Sequence, residues 1–413
     1  MKPKPNLARR RFLTTGLALG CSAAASPLIT PVALAAAPWE NRLVVIILRG
    51  GMDGLDVVRP VGDAHFAGYR PGIAGEAGET DLDGFFALSP DLAPLVPLWR
   101  RGELGFAHAV STPYRGKRSH FDGQDLLESG TGTDVGVGAI RDGWLNRMLQ
   151  TVPGVTAESA FAVGREDMII LNGDAPVSSW SPDARLDLSP HGRRLLEFLY
   201  HDDPAFRAAG MMAAELAETL DLTRDDAFAE GGSDTSDAMM NAMLNAGRAS
   251  RARALARFTG QRLNADTRIA AFSIGGWDTH RAQQAGLRRA LGEMSDAILT
   301  LRETLGVNWA RTAVLCMTEF GRTARQNGTQ GTDHGTGSAM ALAGGAIRGG
   351  RVFGDWPGLG AADLYENRDL RPTGDVRAYA AHAMRGLFGL ERGALERHIF
   401  PGLDMGDDPR ILL

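Results

Sequence analysis

The chain has 413 residues, 44% of them hydrophobic and 23% charged, with a formal net charge of −5. That length holds one large α/β domain or two ordinary ones, and that apolar content excludes global disorder. The acid excess excludes a general nucleic-acid binder, which needs a basic surface.

Residues 1–35 read as an export signal. Lys2, Lys4, Arg9, Arg10 and Arg11 form a basic head, and FLTTGLALGCSAAA is too short and weak for a spanning helix. RRRFL at 9–13 fits the twin-arginine pattern, and ALA at 33–35 offers a cleavage site, which implies the twin-arginine export machinery and a periplasmic or secreted location. An ordinary secretion signal, or lipid attachment at Cys21, are the competing readings. Cleavage after Ala35 removes five basic residues and no acidic ones, taking the charge from −5 to −10. No apolar stretch of membrane-spanning length, about 20 residues, follows. Cys316 is then the only cysteine; it lies in TAVLCM, an expected buried strand, and reads as inert core.

Four apolar segments follow one another, each ending in a polar, glycine-rich turn. NRLVVIIL (41–48) is a β-branched run of the kind buried on both faces of a parallel sheet, and it runs into RGGMDG. GELGFAHAV (102–110) leads to STPYRGKRSHFDGQD. TRIAAFSI (267–274) leads to GGWDTH, and RTAVLCM (311–317) to TEFGRT. After GGWDTH, Leu287, Leu291, Met294, Ile298, Leu301 and Leu305 step by three and four, the stripe of an amphipathic helix. Strand–helix–strand order implies a parallel sheet. Residues 190–221 and 237–263 read as helical, joined by an acidic loop. The expectation is a single α/β domain over 36–413, a mainly parallel sheet flanked by helices, with a mostly helical insertion at about 190–263.

Ligands of an open parallel sheet bind beyond the carboxyl ends of its strands. There the sequence puts Asp53 after the first strand and Arg115, Lys117, Arg118, Ser119, His120 and Asp122 after the second. Asp278 and His280 follow the third; Glu319, Arg322, Asp333 and His334 follow the fourth. Carboxylates and imidazoles together suit a divalent cation such as zinc, manganese or iron. Each residue also has a plainer reading. Asp53 and Asp278 could cap helices, His120 could be a core histidine, and Glu319 could pair with Arg322 or Arg325. Arg115, Lys117 and Arg118 could be a solvated loop.

The segments LVVIILRGGMDGLDVVRP, RSHFDGQDLLESG, FSIGGWDTH, TEFGRTARQNGTQGTDHGTGSAM and GGAIRGGRVFGDWPGL resemble the bacterial family called domain of unknown function 1501, from about residue 42 onward. That family is grouped with the alkaline phosphatase and sulfatase superfamily. The resemblance implies an alkaline phosphatase-like fold with one or two divalent metals (zinc, manganese or calcium) at the carboxyl edge, acting on anionic phosphate or sulfate esters. It implies metal ligands at Asp53, Asp278, His280, Glu319 and His334, with Asp333 a further ligand or a partner orienting the His334 ring. Phe320 stands where the superfamily has a histidine, which weakens a second metal site. Ser119 is the expected nucleophile and Thr112 the runner-up; Lys117, Arg118 and His120 would serve the catalytic site. No Cys-x-Pro-x-Arg pattern is present, which disfavours a formylglycine sulfatase. The alternative function is a non-catalytic exported binding or scaffold protein on the same fold. RGGMDG is not a dinucleotide-binding G-x-G-x-x-G.

Overall fold

A computed structural model describes residues 39–133, 142–164, 168–181 and 237–413. The export signal expected at 1–35 and the expected insertion up to residue 236 lie outside them.

The β-branched run forms a strand, Arg42–Leu48 (β1), with every residue buried. It lies between Ile269–Ile274 (β8) and Thr312–Met317 (β9), parallel to both. Alternation sends Val44, Ile46 and Leu48 to one apolar layer and Leu43, Val45 and Ile47 to the other. A strand covered on both faces needs no polar alternation, which is why the sequence shows none; each such side chain contributes about 1.5–3 kcal/mol by leaving water.

Among the described residues the main sheet has nine strands. The others on its path are Leu104–Ser111 (β5), Ala160–Val163 (β6), Ser178–Trp180 (β7), Ser338–Ala343 (β10) and Val352–Phe353 (β11). Their order is β11-β5-β10-β9-β1-β8-β6-β7, and Gly374–Asp375 (β12) pairs with β5 off this path. Every pairing is parallel except those of β10, which runs against both β5 and β9. Short strands Val58–Arg59 (β2), Thr80–Asp81 (β3) and Ala87–Leu88 (β4) form a second sheet. Helices Asp237–Asn264 and Gln283–Leu305 cover one face of the main sheet, and Trp144–Gln150 and Val376–Phe388 the other. The six stripe residues from Leu287 to Leu305 are all buried. Cys316 is buried in β9, and burial pushes its thiol up to about 12, so it stays protonated.

The reversal of β10 positions the site. β9 ends at Met317 on the carboxyl edge, and β10 starts at Ser338 on that same edge. The connection 318–337 therefore never leaves it, and both Glu319 and His334 stay beside the ends of β1, β5 and β8.

Candidate metal centre

Three loops and one helix start meet here. The turn after β5 ends at Ser119, whose side chain caps the helix His120–Ser129 (α1). His120 is thus the first residue of a rigid helix, with its ring over the edge of the sheet. Asp278 and His280 lie in the irregular segment that follows β8, with His280 in a bend. The next helix begins only at Gln283, after Ala282, so Asp278 does not cap it. His334 sits in the glycine-rich connection. Its glycines serve close packing: a Cβ at Gly331 would stand 2.2 Å from the His280 carbonyl, and one at Gly335 would stand 2.3 Å from the Arg322 carbonyl carbon.

Each histidine is held by its Nδ1. His120 Nδ1 donates to Glu319 Oε1 at 2.8 Å, His334 Nδ1 to the Arg118 carbonyl at 2.8 Å, and His280 Nδ1 to Asp333 Oδ1 at 3.3 Å. A carbonyl or carboxylate can only accept, so the proton is on Nδ1 and the neutral ring carries its lone pair on Nε2. All three Nε2 atoms turn to one place. They lie 3.6 Å (His120), 3.1 Å (His280) and 3.2 Å (His334) from the same oxygen, Asp278 Oδ1. His280 Nε2 and His334 Nε2 are 2.9 Å apart. His120 Nε2 is buried without a hydrogen-bond partner. Lone pairs facing one another around a carboxylate repel unless a proton or cation sits among them. Four ligands of a tetrahedral zinc at 2.0–2.1 Å stand roughly 3.3 Å apart. His120, His334 and Asp278 bring one donor atom each within 4.8 Å of one another and so fit a single cation, while His280 falls outside that group.

Charges around the cluster differ from ring to ring. Burial lowers the His334 pKa, aided by the His120 and Arg322 charges, which favours the neutral ligand form. The Glu319 hydrogen bond raises the His120 pKa against burial, making that ring the more basic donor. Burial works against ionised Glu319, but the hydrogen bonds from His120, Gln124 and the main chain hold it below the usual carboxylate range. Asp278 is likewise held low, burial being outweighed by the Arg322 guanidinium. Buried Arg322 ties the loops together, donating to the carbonyls of Gly50, Gly51, Trp277 and Thr332 and to Asp278.

Not every expected residue joins the cluster. Asp278, His334 and His120 do, and His280 borders them through Asp278 and His334. Glu319, 0% exposed, stands behind His120 and also accepts from Gly50 N, Gln124 Nε2 and Thr318 Oγ1; it orients a ligand and does not face the cluster itself. Asp333 orients His280, not His334. Asp53 is elsewhere. It caps the short helix Gly54–Val57, and both its oxygens are taken by buried Arg70, with Gln283 adding a third donor at 2.6 Å. Thr112 Oγ1 is buried and donates to the Glu319 carbonyl. Lys117 is 74% exposed, with Asp122 3.7 Å away. The Arg118 guanidinium lies 3.6 Å and 3.9 Å from Glu366 and Asp369.

The family model described as "Protein of unknown function (DUF1501)" matches residues 103–398. This chain belongs to that family. The matched span of the DUF1501 chain contains His120, Asp278, His280, Glu319 and His334, and begins beyond Asp53. No curated protein matches it. Three solved structures are similar to the DUF1501 chain at low identity. One is the lipoteichoic acid synthase LtaP from Listeria monocytogenes, at 8% identity and TM-score 0.41, covering 90% of this chain and 78% of that one. Another is BT1596, a 2-O GAG sulfatase, at 9% and 0.33, covering 74% and 64%. The third is a TAB5 alkaline phosphatase mutant with Mg bound, at 10% and 0.31, covering 75% and 91%.

One working residue of the DUF1501 chain escaped sequence reasoning. Gln124 lies four residues after His120 on the same helical face, a spacing that does signal a shared target. Arg322 was expected at this edge, as a partner for Glu319; the fold gives it Asp278 and four carbonyls instead.

Proposed function

We propose that this protein is an exported metal-dependent hydrolase of phosphate or sulfate esters, working with one divalent cation held by His120, His334 and Asp278, with His280 beside them. The observation that carries it is that two Nδ1-anchored imidazoles, His120 and His334, and Asp278 bring one donor atom each within 4.8 Å of one another. Two imidazole nitrogens and one carboxylate oxygen favour zinc, manganese or iron over calcium, which takes six to eight oxygens. When bound, such a cation would polarise an anionic ester and stabilise charge that builds on its oxygens. Asp278 and His280 are 45% and 42% exposed, so a solvent-borne substrate reaches them.

Ser119 is the nucleophile in this reading. Its oxygen sits at the N-terminal end of α1, where the helix dipole favours negative charge, and its bond from Asp122 N is a long one of 3.4 Å. Lys117, the most exposed cation of the loop, would draw in the anion. The reaction class comes from the motif resemblance to the alkaline phosphatase and sulfatase superfamily. Elemental analysis of purified protein, followed by assays on aryl phosphate and aryl sulfate esters, tests the reading. Metal-free protein that stays inactive with added zinc or manganese would sink it. Ser119→Ala is expected to keep its metal, to lose about 0.5–2 kcal/mol of stability with the cap, and to lose turnover by on the order of 1,000-fold or more. An active enzyme unaffected by that change would remove Ser119 from the mechanism. Metal without activity would instead favour the second reading, a binding protein, which the cap and carbonyl bonds already made by Ser119 and Thr112 support.

Export is part of the proposal. RRRFL at 9–13 supports the twin-arginine route, which carries folded, metal-loaded proteins. Exchange of Arg9 and Arg10 for lysine is expected to leave the chain in the cytoplasm by fractionation; unchanged export would overturn that route.

A further inference from the structure

The loop between β5 and α1 contains a conformational cost that its sequence does not explain. Gly116 has φ +86°, where glycine is at home. Arg118, two residues on, has φ +53°, a left-handed conformation that is unfavourable for a residue with a Cβ. Three of the seven non-glycine residues with positive φ among the described residues, Arg118, Ala282 and Gln330, lie in the loops that carry the histidines, so the strain is concentrated here. Ala282 and Gln330 tie two of those loops together through main-chain bonds, Ala282 N to the Thr329 carbonyl and Gln283 N to the Gln330 carbonyl. Arg118 does something else. Its carbonyl accepts the His334 Nδ1 proton at 2.8 Å. The loop is fixed on either side of that bond, since Tyr114 Oη accepts from Ser119 N at 2.8 Å and Ser119 caps α1.

We propose that Arg118 is a positioning residue that acts through its main chain: its left-handed turn aims a carbonyl at His334 and, in the same two residues, sets His120 at the start of α1. This rests on the metal-centre reading above. The turn thereby couples two proposed ligands that are distant along the chain. His334 receives its tautomer and ring angle from residue 118, and His120 receives its place from residue 119. The guanidinium is not what the centre needs from this residue; it points to Glu366 and Asp369. Glycine at 118 would keep the carbonyl and adopt the same φ without strain. A β-branched residue would resist that φ and pull the carbonyl away.

The test compares wild type, Arg118→Gly, Arg118→Val and Arg118→Ala, reading zinc affinity by chelator competition and the visible spectrum of the cobalt-substituted protein. Loss of an outer hydrogen-bond partner costs about 10–100-fold in metal affinity, so that loss is expected for valine, a smaller one for alanine, and glycine should stay within about threefold of wild type. The cobalt bands, which report ligand geometry and not general stability, should shift with valine and not with glycine. Valine binding zinc as wild type does would overturn the proposal. So would glycine weakening as much as valine, because that assigns the effect to the guanidinium. Should the valine chain fail to fold, alanine with wild-type affinity overturns it equally. Wild type that binds no zinc at all is a different result: it removes the metal centre itself.

Discussion

Asp278→Ala is expected to empty the centre. Asp278 supplies the only carboxylate oxygen that all three Nε2 atoms approach, at 3.1–3.6 Å. In the proposed centre it would be both a ligand and the charge that offsets a divalent cation. Removing an outer partner of a ligand costs 10–100-fold, so removing this ligand should weaken metal binding by well over about 100-fold. Zinc competition and elemental analysis would show it, and esterase activity should fall with metal content. The fold should survive. Arg322 loses its carboxylate but keeps the carbonyls of Gly50, Gly51, Trp277 and Thr332, and Asp278 is 45% exposed, so the stability cost should stay near 1–2 kcal/mol. A variant that retained full metal content would show that the histidines do not converge on a cation.

The opposite pattern is expected of Asp53→Ala: a large loss of stability and no change in metal. Asp53 and Arg70 are 1% and 2% exposed, and both carboxylate oxygens contact the guanidinium. Without Asp53 a buried arginine charge has only two carbonyl partners left, those of Ala324 and Thr323, and Gln283 keeps only Asp56 as a carboxylate acceptor for its amide. Breaking a buried pair in this way costs about 3–5 kcal/mol, and at roughly 2–4 °C per kcal/mol for a large domain the melting temperature should drop by about 10 °C. The double variant Asp53→Leu with Arg70→Met should lose less than the single one, because it leaves no unpaired charge. Elemental analysis well below the melting range should find the metal content of wild type. If Asp53→Ala lost its metal while keeping its stability, the superfamily assignment of this residue as a ligand would hold and the pairing with Arg70 would be secondary.

Asp53 shows where motif resemblance and structure part. By order along the chain it matches a ligand position, since it closes the first strand. Locally it is equally a helix cap. Only a third fact separates the two readings: Arg70, 17 residues away, folds back on it. Glu319 is a similar case. Its place after β9 marks it as a ligand, but the reversal of β10 and the first turn of α1 bring His120 between it and the cluster. It then acts through that ring.

The sequence by itself determined the sheet and its working edge. Apolar runs such as RLVVIIL and TAVLCM are long, β-branched and uninterrupted, so they can only be strands buried on both faces, and polar residues then gather where the runs stop. That logic is local, because solvation and backbone preference act over a few residues. It was enough to bring Asp278, His280, His334 and His120 into view as a group. What the tertiary structure decided is which atoms of that group face one another. The Nδ1 anchors come from Glu319, Asp333 and the Arg118 carbonyl, lying 199, 53 and 216 residues from the histidines they hold. A hydrogen bond depends on tenths of an ångström and on angle, and no spacing along the chain encodes that across two crossovers and a reversed strand.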